Sequence, residues 1–124
     1  MRKFKNYEDF ILKLQDELGI QVYDERTDKT GVKTPYIVCS RLQDSSIRAD
    51  NIRFTRIDTI AAVLFSYQKN GVASGERSKA EAKISDWIEK NAVTIFDFDS
   101  AWQEEIQLHT SVFSFGVAYE SDHS

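Results

Sequence analysis

Cysteine and proline are almost absent from this chain: Cys39 and Pro35 are the only examples among 124 residues. A single cysteine excludes an intrachain disulfide and points to a reducing compartment. Cys39 sits inside the apolar run Tyr36-Ile37-Val38-Cys39, where a buried, inert thiol is expected. No repeat, low-complexity run or interdomain linker interrupts the sequence, and no apolar run approaches membrane-spanning length. The start, with Arg2, Lys3 and Lys5, lacks the apolar segment of a signal peptide. The expected location is the cytosol or a particle assembled there, without a membrane.

Positive charge is missing from residues 91–124, which hold no Lys or Arg but carry Asp97, Asp99, Glu104, Glu105, Glu120 and Asp122. With a net charge of −4 there is no general basic footprint for nucleic acid. Catalytic signatures are missing as well. Asn70, Gly71 and Gly75 do not form a phosphate loop, because Glu76 stands where a Lys would have to follow the glycine. Ser45 and Ser46 have no glycine elbow around them. His109 falls within a strand pattern and His123 in the tail, and neither has a partner that suggests catalysis. Nothing calls for a cofactor.

What is present is an ordinary globular composition, 41% hydrophobic and 29% charged, sufficient for one domain over residues 1–124. The dominant stretch is Asn51–Tyr67, rich in β-branched and aromatic residues and free of Gly and Pro. As a strand it would run roughly 50 Å at about 3.3 Å per residue. A domain of this size is only about 35 Å across. A strand that overshoots its own domain needs something beyond the domain to pair with.

Around it, Asn6 predicts an N-cap for a helix that buries Phe10, Ile11, Leu14 and Leu18 and stops at Gly19. Ile20–Tyr23 predicts a short strand, and residues 25–34 a flexible loop. A strand follows from Pro35 to Leu42, with a turn over Gln43–Asp50. Val72 leads on to a helix over Glu76–Lys90, with apolar Ala80, Ile84, Trp87 and Ile88, a capping box of Ser78 and Glu81, and a left-handed stop at Asn91. Val93–Phe98 predicts a strand, Asp99-Ser100 a turn, and Glu105–Tyr119 a second long strand, before a short tail over residues 120–124. The expected fold is α+β: an antiparallel sheet of four to five strands, two helices on one face, and long protruding strands.

Candidate functional residues fall in two groups of opposite charge. Arg41, Arg48, Arg53 and Arg56 lie close together in sequence, against only Asp44 and Asp50. Such arginines suit phosphate or, better matched to the overall charge, an acidic protein surface. Asp97, Asp99, Glu104 and Glu105 form the acidic group. Asp97 and Asp99 share a strand face, so with Glu104 they could hold a divalent metal for hydrolysis, or simply mark the polar end of a hairpin. Trp87 is in phase with a core face, whereas Trp102 is either core or an exposed anchor at an interface.

The order of these pieces resembles the tail-terminator or tail-completion proteins of long-tailed bacteriophages, often labelled minor capsid proteins in phages of Gram-positive hosts. The resemblance rests on the opening helix, Pro35-Tyr36-Ile37-Val38, Ala62-Val63-Leu64-Phe65, the helix Glu76–Lys90 and Phe113-Ser114-Phe115, and covers nearly the whole chain. It implies a non-enzymatic structural virion protein, a hexameric ring that caps the tail tube, stops its polymerisation and meets the neck proteins under the head. The tail tube protein and a neck or head-completion protein would be its partners, and DNA would pass through the lumen without specific binding. A head-closure or adaptor protein is the alternative within that class, and the metal-dependent hydrolase the alternative outside it. A cyclic ring needs two different complementary patches on each subunit. The arginine group and the acidic group, with Trp102, are the candidates for them.

Overall fold

The computed structural model describes residues 2–25, 33–48, 54–69, 72–73 and 75–120. Helix α1 spans Tyr7–Leu18. The Asn6 side chain accepts the Asp9 N–H at 2.8 Å, and the Asp9 carboxylate accepts the Lys5 N–H at 3.0 Å, so two groups at the helix start are satisfied. Gly19, at φ 69°, donates its N–H to the Gln15 carbonyl and ends the helix in the left-handed conformation that glycine adopts without strain. Helix α2 spans Gly75–Asn91 and buries Ala80, Ile84, Trp87 and Ile88.

The ends of α2 differ from the sequence expectation. Ser78 lies inside the first turn rather than at a cap, and Glu81 is held by Arg77 and by the Ser111 hydroxyl. Asn91 closes the helix by donating its side-chain N–H to the Trp87 carbonyl at 2.8 Å, and it has no left-handed backbone.

Among the described residues, eight strands accompany the helices: β1 (Lys3–Phe4), β2 (Gln21–Asp24), β3 (Tyr36–Arg48), β4 (Phe54–Ser66), β5 (Gln68–Lys69), β6 (Val72–Ala73), β7 (Thr94–Gln103) and β8 (Leu108–Tyr119). Six of them make one curled, half-barrel sheet in the order β2-β3-β4-β8, with β7 and β1 placed end to end along the far side of β8. The small β5–β6 hairpin flanks Asn70-Gly71, supplying the second strand that the sequence reading did not expect there.

The α+β class stands, but the sheet is mixed, not antiparallel. β3–β4, β4–β8 and β7–β8 pair antiparallel, whereas β1–β8 and β2–β3 pair parallel. The reason is the path of the helices. Helix α1 returns the chain to the end from which β1 began, so β2 runs the same way as β1, and each lands beside a strand of that direction. Helix α2 relates β4 and β7 in the same way. The two-residue strand β1 is too short to leave a periodic signal in the sequence.

Strand limits also move. The Asn51–Tyr67 stretch forms a strand over Phe54–Ser66; residues 51–53 lie outside the described set, as does most of the loop expected over 25–34 and the tail from 121. The turn expected at Gln43–Asp50 is, as far as Arg48, a continuation of β3 paired to β4. Gln43, Asp44, Ser45 and Ser46 are turn formers by composition, and pairing with Phe54–Thr59 overrides that preference. Asp99-Ser100 is likewise strand; the turn comes at Glu104–Gln107. The overhanging element is therefore the β3–β4 hairpin. β8 stops at Tyr119, opposite Arg56, while β3 and β4 continue to pair through Arg48 and Phe54.

Both helices pack on one row of the two central strands: Ile60, Ala62 and Leu64 of β4 with Phe113, Phe115, Val117 and Tyr119 of β8. Phe10 is the hub, with ring centroids 5.5 Å from Phe4, 5.9 Å from Trp87 and 6.2 Å from Phe115. A clamp on the rim secures β1. Arg2 grips both carboxylate oxygens of Glu17 at 2.7 and 2.6 Å and also donates to Asn91, while the Trp87 indole N–H donates to Glu17 at 3.0 Å. The Arg2 guanidinium holds the Glu17 carboxyl below its ordinary pKa.

Phe10→Ala is expected to cost about 3–5 kcal/mol, the range for a buried Phe truncated with little collapse of the site. Leu12→Ala on the exposed face of α1 should change stability by about 0.5 kcal/mol or less. Urea unfolding of the two variants checks the contrast.

Candidate assembly surface

The acidic group is organised by the β7–β8 hairpin, in which β7 is an edge strand. β8 lies on one side of it, and among the described residues nothing pairs with the other. Asp97 and Asp99 stand opposite Ser114 and Val112, on the sheet face that carries no helix, and both are exposed. Phe98 and Trp102 stand opposite Phe113 and His109, on the helix side. Phe98 is 50% exposed, Trp102 38% and Ile106 51%, three large apolar side chains open to solvent along this hairpin. Trp102 is thus an exposed residue, its indole N–H donating to Glu104 at 3.2 Å. A cleft of about 100 Å³ opens beside Phe98, lined by Ser85, Ile88, Asp97, Phe98, Phe113 and Ser114.

The edge carries its own guard. Alternate N–H groups of an edge strand point away from the sheet, where they invite pairing by another chain. The Phe98 N–H donates to the Asp97 carboxylate at 2.8 Å, and the Ser100 N–H to the Asp99 carboxylate at 2.9 Å. Each acid covers the donor that follows it. Among the described residues no group of three or more His, Cys, Asp or Glu side chains is placed to hold a metal ion, so the metal-dependent alternative finds no donor set there.

The arginine group does not act as one patch. Arg41 lies on the helix side of β3, where its Nε sits 3.0 Å from the fully buried Asp58 carboxylate and its guanidinium stacks 5.2 Å from the Tyr7 ring. A buried carboxylate needs a counter-charge, and Arg41 supplies one within its own subunit. Next to this pair the single proton of the Tyr7 hydroxyl is shared between Asp24 at 3.0 Å and the Cys39 carbonyl at 3.2 Å. Burial pushes the Tyr7 phenol and the Cys39 thiol well above their ordinary values, leaving Cys39 a neutral core residue. Arg48 ends β3 and Arg56 lies near the start of β4, both in the overhanging hairpin; Arg53 lies outside the described residues.

Asp58 is a buried titratable residue that sequence reasoning missed, and His109, expected in a strand, is another buried one. Asp58 follows Arg56 at the polar end of the alternating positions Ile60, Ala62 and Leu64, so no sequence pattern marks it as buried. His109 faces Ser66 across the ladder and lies beneath Arg77 and Glu81 of α2. Its Nδ1 and the Ser66 hydroxyl are buried without hydrogen-bond partners. Burial, reinforced by Arg77, holds the imidazole below its ordinary value of 6.5.

No protein-family model matches the chain, and no curated protein matches it significantly. Among the described residues no helix is long and apolar enough to cross a membrane.

Two outcomes follow. Because the folded state holds His109 below its unfolded value, its contribution to stability is complete above about pH 6.5 and is lost as pH falls from there through the folded value. Urea midpoints measured down a pH series should drop across this window, and His109→Gln should flatten the drop. Arg41→Ala should destabilise toward the lower end of the ~3–5 kcal/mol seen when a buried ion pair is broken, since Arg41 is partly solvated. Arg41→Met combined with Asp58→Leu should recover most of that loss in the same assay.

Proposed function

We propose that this chain is a structural virion protein of a long-tailed bacteriophage, a tail terminator whose copies form a ring that caps the tail tube and meets the neck. The observation that carries the reading is the β3–β4 hairpin, which runs past the end of β8 and whose outer edge beyond Cys39 has no partner strand among the described residues. A strand edge left open in a hairpin that continues two residue pairs past its neighbour is suited to contact with a neighbouring copy. The hairpin carries Arg48 and Arg56, whereas the opposite end of the strand order carries the acidic β7–β8 hairpin with Glu104 and Glu105 in its turn. Two different patches of opposite charge, on opposite flanks, are what head-to-tail closure of a ring requires. The exposed Trp102 and Ile106 beside the acids add apolar area of the kind found at interface centres.

Within this reading the ring is a hexamer, DNA passes through its lumen, and the tail tube and neck proteins dock on its two faces. The protein acts by binding and termination and not by catalysis.

Analytical ultracentrifugation should find a closed oligomer. Arg48→Glu with Arg53→Glu and Arg56→Glu should dissociate it, and Glu104→Lys with Glu105→Lys should restore it. Particles lacking the protein should carry abnormally long tails under negative stain. A parent protein that stays monomeric at every concentration, together with normal tails in its absence, would overturn the proposal.

A further inference from the structure

We propose that the outer edge of β7 is a guarded docking edge that accepts an extended strand from a different protein, one in which basic and apolar residues alternate. Added beside β7, an incoming strand would place every second side chain on the helix side, next to Phe98, Trp102 and the cleft between Ile88 and Phe113, and the others on the helix-free side, next to Asp97 and Asp99. Apolar residues suit the first row and Lys or Arg the second. The guard sharpens the choice. The carbonyl groups of the incoming strand need the N–H groups of Phe98 and Ser100, which Asp97 and Asp99 already hold. A basic side chain in the adjacent row draws each carboxylate off its N–H and pairs with it, so docking exchanges one partner for another. A neutral or acidic strand leaves the carboxylates in place and meets a closed, repelling edge.

A second copy of this chain does not meet the requirement. In β3, whose outer edge is the one available for continuing the sheet, Arg41 pairs with Ile60, a register position of the helix-side row, and is held there by Asp58 of its own subunit. A continuous sheet keeps that row on the helix side, beside Phe98 and Trp102, so Arg41 does not reach the acids. Pairing of two β7 edges would set Asp97 and Asp99 against their own copies. The occupant is therefore another chain that brings its own basic residues, since β7 and everything after it hold no Lys or Arg.

The test uses the full chain with two short synthetic peptides, one alternating lysine and valine, the other alternating glutamate and valine. Binding is followed by the emission of Trp102 against a Trp102→Phe control, which removes the contribution of the buried Trp87. The lysine peptide should bind at least about tenfold more tightly than the glutamate peptide, roughly 1.4 kcal/mol. Asp97→Ala with Asp99→Ala should open the edge and reduce the preference to about twofold or less. Ser85→Phe, which fills the cleft from the exposed face of α2, should weaken the lysine peptide. The substituted side chains are all exposed, so the fold is retained. Equal binding of the two peptides, no binding of either, a preference that survives loss of both acids, or indifference to Ser85→Phe would overturn the inference. A chain that stays monomeric and still discriminates between the peptides leaves it standing while removing the ring; a ring that ignores both peptides does the reverse.

Discussion

Burial of one alternating row of β4 and β8 under two helices is the constraint from which the rest of this fold follows. Ile60, Ala62 and Leu64 stand beside Phe113, Phe115 and Val117, and Phe10 and Trp87 close over them from α1 and α2. Because the strand period is two, a slip of one residue in either central strand would turn this row outward and expose the core. The register of the sheet is thereby pinned at its centre. On the flank beyond β8, by contrast, β7 exposes Asp97, Phe98, Asp99 and Trp102 and is free to serve other purposes.

The same constraint explains where polar groups had to be neutralised internally. Asp58 and His109 occupy positions of the buried row near its two ends, where the helices begin to leave the sheet. Asp58 is offset by Arg41 from the neighbouring strand; His109 stays neutral because charging it beneath Arg77 would put a second cation in a poorly solvated site. An arginine that looks from the sequence like a free surface charge is thus tied to the core. The exposed acids of β7, by contrast, hold N–H groups of the backbone of their own edge.

Much of the local structure was legible in the residues. Asn6, the Phe10-Leu14-Leu18 spacing and Gly19 define α1 between its actual ends, and Ala80, Ile84, Trp87 and Ile88 define the buried face of α2. The apolar runs of β4 and β8 were recognisable as long strands. The limits of β3 and β7 were not, because Gln43–Ser46 and Asp99-Ser100 are turn-forming by composition and become strand only through a paired neighbour. Of the candidate surface, the charge asymmetry and Trp102 were visible in the sequence. The separation of Arg41 from the other arginines, and of Asp97 and Asp99 from Phe98 and Trp102 across the sheet, were not.

By itself the sequence determined the α+β class, the two helices with the caps of α1, and the absence of basic charge over the last quarter of the chain, since each depends on neighbours within a few residues. The direction of the strands, the role of β1, the pairing of β3 with β4 beyond the end of β8, and the open edge of β7 were decided only by tertiary structure. Strand order and direction depend on which distant segments meet across a shared core. A crossover helix or a two-residue strand changes that meeting without leaving a periodic pattern of its own.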